Sequence, residues 1–222
     1  SLDDNVTISY TASKVPYGVK MNAGEAFTVE ELLKATAIRS SNNAAYALAE
    51  YVSHGDVYDF VDRMNERARS MGLDSLRYCT PHGLPPGNTG TCMDQGNAYD
   101  IYKLAMTAIQ YPEYMKIADK SSDYIKDGTI QLKATNNLLG KVEGVDGLKT
   151  GYHKAAGSNI VLTAERDGLR MIAVVMGSEK SKNRDTVGAD EINSFFSTYK
   201  KSKIVDTNKA IATIKISNKD YS

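Results

Sequence analysis

Two strand-like segments joined by a two-residue turn constrain the fold of this 222-residue chain more than any other feature. Residues 158–166 and 169–177 read as strands, and Asp167-Gly168 separates them. An Asp-Gly pair between two such segments is a strong signal for an antiparallel hairpin with a tight turn. The sequence therefore predicts a β-hairpin, which a helix predicted over residues 185–200 covers.

The first part of the chain has the periodicity of helices. A helix is predicted from Thr28 to about residue 39, because Thr28 and Glu31 can form a capping box. The polar residues 40–43 interrupt it, since Ser and Asn side chains compete for backbone hydrogen bonds. A second helix is predicted over residues 44–52.

Two further helices are predicted from their end signals. Asp56 caps one that ends near Gly72, and Asn97 opens another that ends at Pro112. Between them, residues 77–96 are rich in Pro and Gly and are predicted to form a loop.

Residues 1–202 are predicted to form one domain. Asp127-Gly128 predicts a second tight turn within it. Beyond that domain, residues 210–216 alternate between apolar and polar side chains like a strand. Residues 203–222 are therefore predicted to begin a second, β-rich module.

Charge and hydropathy favour neither nucleic acid nor a membrane as the main partner. The chain has 27 basic and 27 acidic residues, so its net charge is zero. It contains no apolar run near the ~18 residues that span a bilayer. Cys79 and Cys92 lie 13 positions apart across the Pro- and Gly-rich loop. The sequence is compatible with a disulfide between them and with two free thiols.

Two short motifs carry the functional information. Ser40-Ser41-Asn42 falls between two predicted helices, and Lys149-Thr150-Gly151 precedes the hairpin. Taken alone, the first is also compatible with a polar helix break and the second with a strand edge followed by a turn glycine. Their joint context is more informative than either motif, because Asp146-Gly147-Leu148 leads into the second one.

With these motifs, the chain resembles the D-alanyl-D-alanine carboxypeptidases among the low-molecular-mass penicillin-binding proteins. The resemblance covers nearly all of residues 1–200 and includes Leu2-Asp3-Asp4 and His82-Gly83-Leu84. It implies a mixed α/β (α+β) fold of the penicillin-binding-protein and β-lactamase-like transpeptidase type. In that fold an antiparallel sheet is flanked by helices, and it is expected to be incomplete here at its N-terminal side.

The resemblance implies a role for each motif residue. Lys149 would hold the terminal carboxylate of a peptide as a point charge, and the Thr150 hydroxyl would donate to the same group. Gly151, which has no Cβ, would let the substrate approach the backbone. Ser40 would relay a proton to the leaving D-alanine, and Asn42 would hydrogen-bond the amide backbone of the substrate.

Two further residues are implied beside the motifs. The backbone N–H of Tyr152 would donate to the oxyanion that develops in acyl transfer. Arg184 would add a second cation for the carboxylate, with a solvated surface arginine as the open alternative. His82 is interpreted as a structural loop histidine.

The Ser-x-x-Lys motif that carries the nucleophile of the family is missing from its place before Leu2-Asp3-Asp4. Ser197-Thr198-Tyr199-Lys200 has that pattern but follows Lys149-Thr150-Gly151, so it is interpreted as a chance match. We therefore expect the native protein to be longer, with a separate N-terminal segment completing the fold. Without that segment, the helices at 29–52 are expected to expose apolar faces.

The resemblance implies removal of the terminal D-alanine from peptidoglycan stem peptides through an acyl-enzyme, and acylation by β-lactam antibiotics. No cofactor or metal is implied. The location is expected to be extracytoplasmic, with any membrane anchor outside this chain. Three alternatives remain open: a non-catalytic peptide-binding module, a structural fragment, and a class A β-lactamase-like hydrolase. The last would need a glutamate in a loop such as 77–96, which contains none.

Overall fold

The computed structural model describes residues 1–85 and 92–202. In chain order its elements are β1 (Asn5–Thr7), α1 (Tyr10–Lys14), β2 (Ala26–Thr28), α2 (Val29–Arg39), α3 (Asn42–Val52), α4 (Val57–Ser70), α5 (Ala98–Ala108), α6 (Pro112–Ala118), β3 (Ser122–Ile125), β4 (Ile130–Lys133), β5 (Val145–His153), β6 (Gly157–Arg166), β7 (Leu169–Ser178) and α7 (Ser181–Thr198). None of these helices is long and apolar enough to cross a membrane. The β-rich module predicted for 203–222 lies outside the described residues and stays a prediction.

The main sheet contains three antiparallel strands in the order β5-β6-β7. β6 and β7 form the predicted hairpin, and Arg166 pairs with Leu169 at its end. Asp167 and Gly168 have φ angles of 51° and 72°, as a two-residue turn of this kind requires. β5, which was not predicted as a strand, lies along the other side of β6 and forms the edge of the sheet.

Side chains that alternate along β6 contact helices on both faces of the sheet. On one face, Ile160 and Leu162 are buried together with Ile192 of α7. On the other face, Val161 packs against a buried cluster that includes Ala105 of α5. The main sheet is therefore the central layer between α7 and the helices α5 and α6, and the predicted fold class is confirmed.

The remaining elements form a helical lobe with its own core. Phe27, Leu32 and Leu132 are fully buried in that core. The capping box at the start of α2 is present as predicted: Glu31 N donates to Thr28 Oγ1 at 3.1 Å, and Thr28 N donates to a Glu31 carboxylate oxygen at 2.9 Å. Two backbone N–H groups at the start of the helix, which have no acceptor within the helix, are thus hydrogen-bonded to side chains.

The other predicted helix ends are confirmed in part. The Asp56 side chain caps α4, and Gly72 follows that helix with a φ of 65°. The Asn97 side chain caps α5 by accepting from the N–H of Asp100 at 2.9 Å. The predicted end at Pro112 is wrong, because α5 ends earlier and Pro112 is the first residue of α6. Proline is tolerated there because the first helical N–H needs no partner within the helix.

The helix predicted over 185–200 begins at Ser181 and ends at Thr198. The earlier start matters for function because it places Arg184 inside the first turn of α7 rather than before it. The turn predicted at Asp127-Gly128 is confirmed between β3 and β4.

The expectation that helices at 29–52 expose apolar faces is wrong for most of their length. Leu32, Ile38 and Ala44 are between 0% and 2% exposed. Helix α2 contacts β2, the β3–β4 hairpin and α6, which together provide the cover that the sequence pattern did not reveal. Only the end of α3 is open, where Val52 is 44% exposed.

Cys79 and Cys92 form a disulfide with their Cα atoms 5.7 Å apart, which settles the alternative that the sequence left open. Asp94 ties the same loop, because its carboxylate accepts from the backbone N–H groups of Cys79 at 2.7 Å and of Thr80 at 3.2 Å. A disulfide of this kind is typical of proteins in oxidising compartments.

Candidate active site

The chain reverses direction at Ser40, between α2 and α3. Ser40 has φ 58° and ψ 45°, a left-handed conformation that costs a non-glycine residue about 1–2 kcal/mol. Its backbone N–H donates to Ala35 O, which closes the end of α2. Strained backbone of this kind concentrates at functional sites, where the surrounding structure holds it. The predicted helix break is therefore confirmed and has a defined, strained geometry.

The loop at residues 16–19 supports this reversal through buried polar contacts. Ser41 Oγ accepts from Val19 N at 2.9 Å and lies 2.5 Å from Asn43 Oδ1, to which it donates. Asn43 Nδ2 donates to Val19 O at 2.7 Å. Ser41 and Asn43 are 1% and 4% exposed, so both side chains serve the fold rather than a ligand.

Gly18 in this loop has no room for a side chain. A Cβ there would overlap Asn43 Oδ1 and lie 2.7 Å from Ser41 Oγ. Gly18→Ala is therefore expected to lower the free energy of unfolding by about 1–3 kcal/mol, because it displaces a buried hydrogen-bonded pair. Urea unfolding measures this change. Gly151→Ala is the matched control, since a Cβ at Gly151 meets no atom within 4 Å, and equal stability of the two variants would contradict the account.

Lys149 joins the two predicted motifs. From β5, its Nζ donates to Ser40 Oγ at 2.6 Å and to Thr150 O at 2.7 Å. The first contact links residues that are 109 positions apart in sequence. The candidate site therefore lies between the edge of the main sheet and the helical lobe.

The environment of Lys149 favours binding of an anion. Burial, and to a smaller extent the positive charge of Arg184, lower the pKa of Lys149 from 10.5 to about 8. Within residues 1–85 and 92–202, no acidic side chain forms an ion pair with Lys149. A buried cation without an acidic partner is stabilised by an incoming carboxylate.

Thr150 follows Lys149 on the strand and is 8% exposed. Its Oγ1 lies 2.6 Å from Thr135 Oγ1, and either hydroxyl can be the donor. Thr135 was not among the predicted site residues. No sequence signal identifies it, because it lies in an irregular segment and reaches Thr150 only through the fold.

Arg184 is a buried residue of α7, 4% exposed, so the alternative of a solvated surface arginine is wrong. Its Nε and Nη2 donate to Asp185 Oδ1 at 2.9 and 2.6 Å, and its Nη1 donates to Asn159 O at 3.4 Å. Asp185 offsets part of the charge of Arg184. Arg184 is still near enough to Lys149 for its positive charge to lower the pKa of that amine.

Asn42 is placed beside the site, but its amide donors are already engaged. Its Nδ2 donates to Pro16 O and to Tyr17 O, both at 3.0 Å. Among the described residues, the carbonyl oxygen of this side chain has no hydrogen-bond partner and can accept from an N–H. The role of Asn42 toward a substrate stays a prediction.

Gly151 and Tyr152 lie on the open edge of the sheet. Gly151 has free space around its Cβ position, and Tyr152 is 70% exposed. Among the described strands, β5 pairs only with β6, so its other side carries backbone groups that can pair with an extended peptide. The oxyanion role of the Tyr152 N–H stays a prediction.

His82 is held by the protein rather than presented to a ligand. Its ring stacks on Tyr46 with centroids 6.2 Å apart, and its Nδ1 accepts from Leu84 N at 3.2 Å. Burial lowers the pKa of His82 to about 4, so the ring is neutral near pH 7. These contacts fit the structural role interpreted from the sequence.

The Ser197-x-x-Lys200 pattern lies away from the site. Ser197 Oγ donates to Ser194 O in the last turn of α7, and Lys200 follows the end of that helix. Ser197 is 13 residues along α7 from Arg184, or about 20 Å at 1.5 Å per residue. The pattern is thus separated from Lys149 and fits the interpretation as a chance match.

An open apolar groove of about 330 Å³ lies next to Lys149, between α5 and one face of the main sheet. Its apolar walls include Ile101, Leu104, Val161, Val174 and Met176. Beside it, β7 pairs only with β6 among the described strands. An apolar surface and an unpaired strand edge therefore adjoin the candidate site.

A family model described as D-alanyl-D-alanine carboxypeptidase matches residues 1–180. D-alanyl-D-alanine carboxypeptidase DacF of Bacillus subtilis is 32% identical over 213 residues, which are 95% of this chain and 53% of that protein. The chain thus spans about half the length of the curated relatives it matches, or less.

Solved structures agree with these sequence matches. The Streptomyces K15 DD-transpeptidase has a TM-score of 0.80 and 26% identity, and the match covers 89% of this chain and 80% of that one. Penicillin-binding protein D2 from Listeria monocytogenes, in its ampicillin-bound form, has a TM-score of 0.71 and 27% identity, with coverage of 86% and 77%. The fold of this chain is therefore similar to the folds of both structures.

Proposed function

This chain belongs to the D-alanyl-D-alanine carboxypeptidase family, and we propose that it forms the substrate-recognition part of a serine-type carboxypeptidase. The proposed reaction removes the terminal D-alanine from peptidoglycan stem peptides. The observation that carries the proposal is the 2.6 Å hydrogen bond from Lys149 Nζ to Ser40 Oγ. In this contact the Lys149 cation, which has no acidic partner among the described residues, lies against the Ser40 hydroxyl group beside the apolar groove.

The terminal carboxylate of the peptide is the group that Lys149 is proposed to bind. Thr150 donates its hydroxyl to the same carboxylate, and the buried charge of Arg184 adds to the positive potential there. Gly151 leaves space for the peptide backbone along the edge of β5, where the Tyr152 N–H is the proposed oxyanion donor. Asn42 accepts from an amide N–H of the substrate.

The proposed acyl transfer uses Ser40 as a proton relay. A serine oxygen attacks the carbonyl carbon of the penultimate D-alanine, its proton passes to the lysine of the same Ser-x-x-Lys motif, and the bond to the nitrogen of the last D-alanine breaks. Because Ser40 Oγ accepts from Lys149, its own proton can be given to that leaving nitrogen, and the proton taken from the attacking serine replaces it, so that Lys149 stays protonated. Water then hydrolyses the ester and releases the shortened peptide.

The attacking serine is proposed to come from a separate Ser-x-x-Lys segment that occupies the groove between α5 and the sheet. Three observations support this. The groove is apolar and adjoins Lys149, β7 has one free edge among the described strands, and residues 1–222 contain that pattern only at Ser197. A helix with one apolar face would fill such a groove.

β-Lactam antibiotics are proposed as ligands of the completed site. Penicillin-binding protein D2 has been solved in its ampicillin-bound and cefotaxime-bound forms, and its fold matches this chain. An extracytoplasmic location is proposed as well, supported by the Cys79–Cys92 disulfide. Any membrane anchor is proposed to lie outside these residues.

Titration of the chain with two peptides tests this recognition. One is an N-acyl-D-Ala-D-Ala peptide with a free carboxylate, and the other is the same peptide with a C-terminal amide. We expect the free carboxylate to bind at least about tenfold more tightly, as a charge-assisted hydrogen bond in a buried site provides. Equal affinities would contradict carboxylate recognition by Lys149. Binding without release of D-alanine, even with the Ser-x-x-Lys segment present, would favour the non-catalytic module.

The pH dependence of this binding follows from the pKa of Lys149. With a pKa of about 8, its protonated fraction falls from about nine-tenths at pH 7 to about one-tenth at pH 9. Affinity for the free carboxylate is therefore expected to fall roughly tenfold over that interval, since the neutral amine does not attract it. Calorimetric titration between pH 6 and pH 9 measures this, with the amide peptide as the control. An unchanged affinity across this range would rule out Lys149 as the recognising cation.

A further inference from the structure

Thr135 and Thr150 form a pair of hydrogen-bonded hydroxyl groups next to Lys149 in the candidate site. Their Oγ1 atoms are 2.6 Å apart, a normal to short distance for a hydrogen bond between two hydroxyl groups. Thr150 is buried, whereas Thr135 is half-buried. In the described part of the chain, this contact is the only side-chain hydrogen bond of either hydroxyl.

The number of hydroxyl protons in this pair limits how the pair can donate a hydrogen bond to an anion. Each hydroxyl has one proton and two lone pairs, and the contact between Thr135 and Thr150 uses one of the two protons. When Thr135 donates, Thr150 accepts, and the proton of Thr150 is free for a ligand. When Thr150 donates, it has no proton left for a ligand. An anion beside Thr150 selects the first arrangement.

The backbone around Thr135 is hydrogen-bonded to residues that lie just before each of the two predicted motifs. Thr135 N donates to Ile38 O, two residues before Ser40, at 3.1 Å. The next residue, Asn136, donates from Nδ2 to Gly147 O, two residues before Lys149, at 3.2 Å. The segment therefore bridges the end of α2 and the start of the Lys149 strand, which keeps the Thr135 hydroxyl in place against Thr150.

We propose that Thr135 is a positioning residue for carboxylate recognition. It donates its proton to Thr150 and thereby directs the proton of Thr150 toward the terminal carboxylate of the peptide. Because hydrogen bonds in a chain polarise one another, the Thr135 contact also strengthens donation by Thr150. This inference rests on the proposed function, since it assigns Thr135 to the same carboxylate site.

Thr135→Val keeps the shape of the side chain and removes the hydroxyl, so it is the main test variant. Affinities for the free-carboxylate peptide and for its C-terminal amide are measured for wild type and variant. The ratio of the two affinities is expected to fall about five- to tenfold, which corresponds to the net contribution of one hydrogen bond. Thr135→Ser, which retains the hydroxyl, is expected to restore the ratio.

Thr36→Val is the matched control. The Thr36 hydroxyl on α2 is buried and has no hydrogen-bond partner among the described residues, so its removal is expected to leave the ratio unchanged. Thr135→Ala repeats the test if the valine variant does not fold. Loss of stability with an unchanged ratio would overturn the proposal and leave Thr135 a structural residue.

The same titrations separate failure of this inference from failure of the proposed function. A wild-type chain that prefers the free carboxylate, combined with a Thr135→Val variant that keeps the preference, would overturn the role of Thr135 alone. A wild-type chain without any preference would overturn carboxylate recognition and the role of Thr135 together.

Discussion

Replacing Lys149 by methionine is expected to weaken binding of the free-carboxylate peptide by about 10- to 100-fold. Methionine fills similar space but removes the cation that contacts Ser40 Oγ at 2.6 Å. The magnitude follows from the roughly 1.5–3 kcal/mol that a hydrogen bond to a charged group contributes. The folded chain itself is expected to tolerate the change, because the half-buried Lys149 has no acidic partner among the described residues that its removal would leave unpaired. Calorimetric titration measures the affinity, and thermal unfolding confirms that the variant is folded.

Two comparison variants make this result specific. Lys182→Met removes a cation from an exposed position of α7 and is expected to leave the affinity unchanged. Lys149→Arg keeps the charge, but a planar guanidinium does not fit a site shaped for an ammonium, so weak binding is expected there too. Unchanged affinity in Lys149→Met would show that the carboxylate is held elsewhere.

Replacing Leu162 by alanine is expected to lower the free energy of unfolding by about 3–5 kcal/mol. Leu162 is a residue of β6, and its side chain is fully buried against α7. The helix backbone lies close above it, since a Cβ added at Gly188 would be 2.6 Å from Leu162 Cδ1. The cavity left by truncation borders β6, which pairs with the strand that carries Lys149. It also borders α7, which carries Arg184. Weaker ligand binding is therefore expected to accompany the loss of stability.

Urea unfolding measures this change, with Leu2→Ala as the control. Leu2 is 38% exposed, so its truncation is expected to change stability by less than about 0.5 kcal/mol. A Leu162→Ala variant within about 1 kcal/mol of wild type would contradict the packing described for β6 and α7.

Local signals predicted the ends of several elements correctly. The capping box at Thr28 and the Asp167-Gly168 turn depend on residues a few positions apart, and both are present in the structure. The strand that carries Lys149 was not predicted as a strand. Its residues Val145 to His153 lack a clear alternation of apolar and polar side chains, because both faces are partly covered.

The site itself could be predicted only in part, for a related reason. The two motifs identified Ser40 and Lys149, and the structure brings them into contact. The burial of Arg184, the engaged amide of Asn42 and the Thr135–Thr150 pair all depend on contacts between distant elements. Residue types and spacing along one element carry no information about such contacts.

Intact-mass analysis after treatment with penicillin shows whether the nucleophile belongs to a separate Ser-x-x-Lys segment. The chain of residues 1–222 is compared with the same protein carrying that segment. We expect the chain to keep its mass, and the protein with the segment to gain one covalent adduct on the serine of that motif. An adduct on a residue within 1–222, or no adduct on the protein that carries the segment, would contradict this expectation.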